Sequence, residues 1–116
     1  MSDALRRALD RLTAVGGVRG AMLVSAGDGL AVAEVLMEDV RGPALAALSA
    51  SLANRLHLVA TTAEVGAMRF LHLEAEHGVL LVAPVVGELL LVAVGSAETN
   101  VGLARLEMLR AAEVIA

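Results

Sequence analysis

Hydrophobic residues along this chain switch between two periods. From Ser2 to Val15 they recur at Leu5, Leu9, Leu12 and Val15, with Ala8 between, while Arg6, Arg7, Asp10 and Arg11 take the other faces. That spacing predicts an amphipathic helix, with Ser2 placed to cap it and Gly16-Gly17 to end it. Val18 to Ser25 and Leu30 to Glu34 are short apolar runs that read as strands. Between them stands Ala26-Gly27-Asp28-Gly29, a hairpin signal, because glycine accepts positive φ and aspartate can bond its own backbone. Val35 to Gly42 is a polar connector with Glu38, Asp39 and Arg41, and Pro43 suits a first helical position. The following pattern predicts a helix from Pro43 to about Ala60, ending before Thr61-Thr62. Gly66 to Ala75 alternates as a strand, and Glu76-His77-Gly78 turns the chain. Val79 to Ala83 and Glu88 to Val94 are aliphatic strands joined through Pro84 to Gly87. Thr99 to Ala116 reads as a last helix, capped by Thr99 or Asn100. One face of it carries Val101, Ala104, Met108, Ala112 and Ile115, and Leu103, Leu106 and Leu109 lie off that face. The order αββαβββα predicts an α+β fold. It has one five-stranded, mostly antiparallel sheet with helices against it, in a single domain over residues 1–116.

The second predicted helix is unusual. Leu45, Leu48, Leu52, Leu56 and Val59 form one stripe, and Ala46, Ala50, Ala53 and Leu58 cover much of the rest. Arg55 is its one charged residue besides His57. A surface helix carries several charges outward. This one reads as buried on two sides, by the sheet and by a partner, with its alanines and serines letting a second helix approach closely. A chain this short has too few elements to enclose a helix alone, so the pattern predicts a dimer interface on this helix.

Composition supports that reading. The chain is 58% hydrophobic, with a mean hydropathy of +0.76. A domain of this size buries only about two-thirds of the surface its unfolded chain exposes. The surplus must meet a membrane or another protein. The membrane reading has one segment, Val79 to Gly95, but Pro84, Gly87 and Glu88 interrupt it, and two strands and a turn fit better. Arg6, Arg7, Asp10 and Arg11 interrupt any leader-like apolar run at the start, so the chain reads as cytoplasmic. Net charge is −4, all nine basic residues are arginine, and Phe70 is the single aromatic residue. A nucleic-acid binder needs a basic field and stacking platforms, and neither is present.

Chemistry is scarce. A phosphate loop would run from strand into helix with a Lys-Ser/Thr pair, whereas Gly27-Asp28-Gly29 leads into a strand and the chain has no lysine. His72, Glu74, Glu76 and His77 are the one metal-like cluster, and a solvated strand end accounts for them better than a preorganised ligand set. With no cysteine there is no thiolate site or disulfide. Ser25 and Asp28 lack a nucleophile elbow, and no carboxylate pair sits in an apolar setting. We expect no catalytic, cofactor or metal site.

Three segments together carry a resemblance: "GVRGAMLVSAGDGLAVA", "GVLLVAPVVGELLLVAVGS" and "NVGLARLEMLRAAEVI". In these segments and their spacing the chain resembles the roadblock / dynein light chain family, most distinctively at Asn100 to Arg105. The resemblance covers nearly the whole chain and implies a roadblock/longin-like, profilin-like fold in a homodimer. In that family the second helices pack together and middle strands pair edge to edge, which places Leu45, Leu48, Leu52, Leu56, Val59, Arg69, Leu71 and Leu73 at the interface. It also implies a small Ras-like GTPase as partner, as bacterial members often act beside one, and no small-substrate active site. Two mechanisms are then open: an arginine finger from Arg41, Arg55, Arg69 or Arg105, or a surface that orders the GTPase's own switch loops. The second is preferred, since only Arg41 sits on a reaching loop. Arg41, Ser51, Asn54, Arg55 and His57 are the expected partner-facing strip. The other readings are a passive dimerisation scaffold and a small-ligand sensor built around Arg69 and His72.

Overall fold

The computed structural model describes residues 2–115. Its elements run α1 (Asp3–Thr13), β1 (Val18–Ser25), β2 (Ala31–Leu36), α2 (Gly42–Thr62), β3 (Leu71–Ala75), β4 (Gly78–Pro84), β5 (Leu89–Ser96) and α3 (Val101–Ile115). The order αββαβββα is the one the sequence predicts. The five strands form one sheet in the order β2-β1-β5-β4-β3, antiparallel at every pairing.

Helices cover both faces of the sheet. On one face α1 and α3 lie side by side, and Leu9, Leu12 and Met108 close over Ala21, Leu23, Leu81, Leu91 and Ala93. On the other, α2 sets Ala46, Ala50 and Ala53 on Met22, Val24, Val82, Leu90 and Val92. β1, β5 and β4 therefore read as nearly continuous apolar runs, being buried on both faces.

The ends of α1 and α3 follow their caps. Ser2 Oγ accepts from the Leu5 N–H at 3.2 Å, and Asn100 Oδ1 accepts from the Leu103 N–H at 3.2 Å. Glu107, whose side chain is 11% exposed, binds the two helices together. Its carboxylate takes Arg110 Nη1 at 2.9 Å and lies 3.8 Å from Arg11 Nε. The buried face of α3 is Ala104, Glu107, Met108 and Ala111, so Ala111 stands where the sequence reading puts Ala112. The last position of the predicted final helix, Ala116, is outside the described residues.

The glycine-rich turn is a hairpin connection. The Gly29 N–H donates to Ser25 O at 2.8 Å, and the Leu30 N–H donates to Asp28 Oδ1 at 3.0 Å. Gly29 has φ +73°, and a Cβ there would stand 3.1 Å from Ala47 Cα on α2. Gly29→Ala is thus expected to lower unfolding stability by about 1–2 kcal/mol, from left-handed strain alone. Urea unfolding should show an earlier midpoint at unchanged slope; an unshifted midpoint would refute the strain.

Two element boundaries differ from the sequence reading, each for a physical reason. The predicted strand over Gly66 to Ala75 pairs only from Leu71. Continuing the register would bring Arg69 opposite Pro84, which has no N–H to give. Residues 66–70 are instead the connector from α2, with Gly66 at φ +89°. Helix α2 passes the expected stop and includes Thr61 and Thr62. The Thr61 hydroxyl donates back to His57 O at 3.0 Å, which keeps the polar side chain inside the helical pattern.

Candidate interaction surface

The row of α2 that meets the sheet is Ala46, Ser49, Ala50 and Ala53. The sequence reading assigns the small residues to close approach by a second helix. For this row that is corrected: the sheet itself lies close to the helix. The leucine stripe sits roughly a quarter turn around the helix from the row. Leu48 is 70% exposed and Val59 61%, with Leu45, Leu52 and Leu56 half-buried.

α2 covers only part of its face of the sheet. Its main packing is on β2, β1 and β5. The β4–β3 side of that face stays partly open at Leu71, Leu73, Leu80 and Val94. An apolar groove of about 400 Å³ runs between Leu45 and Leu48 of α2 and Val94 of β5. A second groove continues from Val94 past Leu80 to Leu73 on β3. Beyond β3 the sheet simply ends, and its outer edge has no strand partner within the chain. Helix side, bare sheet and open edge thus adjoin in one mainly apolar surface, with Arg19 lining both grooves. Of the predicted interface residues, Leu45, Leu48 and Leu73 line these grooves. Arg69 stands apart, in a basic cleft with Phe70, His72 and Arg105 on the α3 side.

The polar candidates separate. Arg41 precedes α2 without a side-chain cap bond and lines the groove beside Leu45 and Leu48, next to the Arg19–Asp39 ion pair. Asn54 serves the fold itself, since its Nδ2 donates to Ala26 O at 3.3 Å and ties α2 to the β1–β2 hairpin. His57 lines a cleft of about 380 Å³ with Met68, Pro84 and Glu88. Ser51 and Arg55 are exposed on the outward side of α2. Arg41 and His57 are sixteen residues apart, roughly 24 Å along a helix, so these five residues are spread over the helix and its entry rather than gathered at one point.

Several parts of the surface carry no mark in the sequence. Met68 and Glu88 complete the His57 cleft. Arg105 lies with its guanidinium 4.6 Å from the Phe70 ring centroid. Only long-range packing brings these residues together, and no local pattern marks them. α3 also carries exposed Leu103, Leu106 and Leu109, the three leucines that the sequence pattern sets off its packed face. Among the described residues, no group of three or more His, Asp or Glu could hold a metal ion. Among them, too, no helix is long and apolar enough to cross a membrane.

Comparison with known proteins follows from this geometry. The sequence profile of the Roadblock/LC7 domain matches residues 5–95. A Methanocaldococcus jannaschii protein, MJ1340, is 33% identical over 109 residues, which is 94% of each chain. Myxococcus xanthus MglB superposes with a TM-score of 0.86 at 20% identity, covering 96% of this chain and 90% of that one. The gliding protein MglB from Thermus thermophilus superposes with a TM-score of 0.83 at 22% identity, covering 96% and 84%. At those identities the structural likeness is one of fold.

Proposed function

The chain belongs to the Roadblock/LC7 domain family, and from that premise we propose that it is a non-enzymatic homodimer that regulates a small Ras-like GTPase. The observation that carries the dimer is the half-covered sheet face, where the leucine side of α2, bare β4–β3 and an unpaired edge adjoin. The GTPase comes from the family resemblance. Two copies joined there would bury the apolar surplus and remove the open edge. The outward side of α2, with Ser51 and Arg55, would remain free to meet the GTPase. Arg41 would flank it from the loop before the helix.

Regulation by ordering switch loops requires tighter binding to one nucleotide state. Of the four candidate finger arginines, Arg69 and Arg105 lie at the α3-side cleft and Arg55 is in mid-helix. Arg41 and Arg69 are both outside helices and strands, and of the two Arg41 is the one beside the leucine side of α2. Recombinant protein used to capture GTPases from the native lysate should retain a small GTPase with a non-hydrolysable GTP analogue and release it with GDP. Equal retention in both states would replace regulation with scaffolding, and no GTPase in either would end the proposal. Given a captured GTPase, Arg41→Ala is expected to keep stimulated hydrolysis within about tenfold of the unmutated protein. An arginine finger supplies about 10³ to 10⁵, so a loss of that size in single-turnover hydrolysis would make Arg41 the finger.

A further inference from the structure

The chain is acidic as a whole, yet it leaves arginines without acids. Arg6, Arg11, Arg19 and Arg110 lie in ion pairs. Among the described residues, neither Arg69 nor Arg105 has a carboxylate within ion-pair distance. Arg69 belongs to the connector between α2 and β3, and Arg105 to the second turn of α3. Both line the cleft of about 710 Å³, with Gly66, Ala67, Phe70 and His72, and no acid is in its lining.

The cleft is partly preorganised. Phe70 packs half-buried against the α1–α3 core. The Arg105 guanidinium lies 4.6 Å from its ring centroid. Stacking uses one face of the guanidinium plane and leaves the N–H edges free to donate. The connector adds main-chain donors, since the N–H groups of Gly66, Ala67, Arg69 and Phe70 have no backbone acceptor among the described residues. Gly66, at φ +89°, has nothing within 4 Å of the place a Cβ would take, so the cleft is open beside it.

The donors define the ligand. Two permanent positive charges and no acid exclude a cation. The one aromatic ring already carries Arg105, so it makes a poor platform for a nucleic-acid base. Two guanidinium forks suit a tetrahedral phosphate, which accepts bidentate hydrogen bonds and offers three oxygens where a carboxylate offers two. The volume lies within the range of about 300–1,000 Å³ usual for small-molecule sites.

We propose that this cleft binds a phosphate group, free or carried on a small metabolite, with Arg69 and Arg105 as fork donors and His72 as a third. Neither the dimer nor the GTPase is needed for it.

Phe70 is the single phenylalanine, so incorporating 4-fluorophenylalanine gives one fluorine resonance, at the cleft. Titration of the labelled protein with glycerol 3-phosphate should shift that resonance saturably, and glycerol should not shift it. Arg69→Gln and Arg105→Gln should each weaken binding at least about tenfold, as expected for loss of a charged hydrogen-bond partner. Arg7→Gln removes an exposed arginine of α1 and should change nothing. Arg105→Lys keeps the charge but loses the fork and the stacking, and should also weaken binding; undiminished binding would mean a general positive field and overturn the site. Arg69 is exposed and outside helices and strands, so its variant tests the site even where Arg105→Gln disturbs α3. Tighter binding of glycerol 3-phosphate than of inorganic phosphate would support a metabolite as the source, and the reverse order would support free phosphate. Succinate binding as tightly as either would overturn the phosphate assignment. A shift that stays linear in concentration, or that persists in both glutamine variants, would overturn the site. Weaker self-association of both glutamine variants, with no phosphate response in the unmutated protein, would assign the arginines to a contact between chains instead.

Discussion

Leu48→Asp is expected to convert the protein from dimer to monomer across the micromolar range without changing its helix and strand content. Leu48 is 70% exposed, so its removal leaves no cavity in the single chain. In the proposed dimer the same position faces apolar surface, and each dimer buries it twice. An unpaired polar group taken from water costs at least about 2 kcal/mol there, and a carboxylate more. Two such sites together weaken association by about 10³-fold, each 1.4 kcal/mol being tenfold. Sedimentation equilibrium measures this directly, with circular dichroism as the control for folding. A dimer of undiminished affinity would remove the leucine side of α2 from the interface. An unfolded variant would mean that the chain has no stable monomer, as in many obligate dimers, and Leu48→Ala would then take its place.

Ala50→Leu should have the opposite signature. Ala50 is 3% exposed and lies between α2 and the sheet, near Val24, Leu90 and Val92. Three added carbons have no room unless the helix lifts. Overpacking of this kind costs typically 1–3 kcal/mol, and the upper end applies because the opposing side chains stand on a rigid central sheet. A loss of about 3 kcal/mol corresponds to a fall in Tm of roughly 10 °C in a domain of this size. Differential scanning calorimetry should show it, together with weaker association, since a lifted α2 misplaces Leu45 and Leu48. A Tm within a degree or two of the unmutated protein would mean that the alanine row is not close-packed on the sheet.

These two substitutions mark what the sequence reveals of the fold and what it hides. Periods of 3.6 and 2 are local, so all eight elements are legible from the spacing of Leu5, Leu9 and Leu12 or from the aliphatic run before Pro84. The turn at Asp28-Gly29 is legible for the same reason: its hydrogen bond to Leu30 spans two residues. Which side of α2 faces the sheet is not. Leucine and alanine rows are both apolar, and only the distance between helix and sheet selects the smaller one. The start of β3 is hidden because alternation does not reveal whether a strand has a partner, and here the ladder stops at Pro84, thirteen residues past Leu71. Of the candidate surface, the leucine stripe can be read off directly. The cleft joining His57 to Met68 and Glu88, and the stacking of Arg105 on Phe70, depend on contacts between distant segments.

The side-by-side seating of α1 and α3, fastened through Glu107, has a practical meaning. Residues 3 and 115 both belong to the layer on the far side of the sheet from α2. A fluorophore, affinity handle or fused domain attached at either end therefore leaves from that layer and does not crowd the leucine side of α2. Labelling schemes can use both ends at once, and two copies can be joined head to tail by a linker that stays within one layer. Such a single-chain tandem would make self-association intramolecular and let its geometry be studied at any dilution.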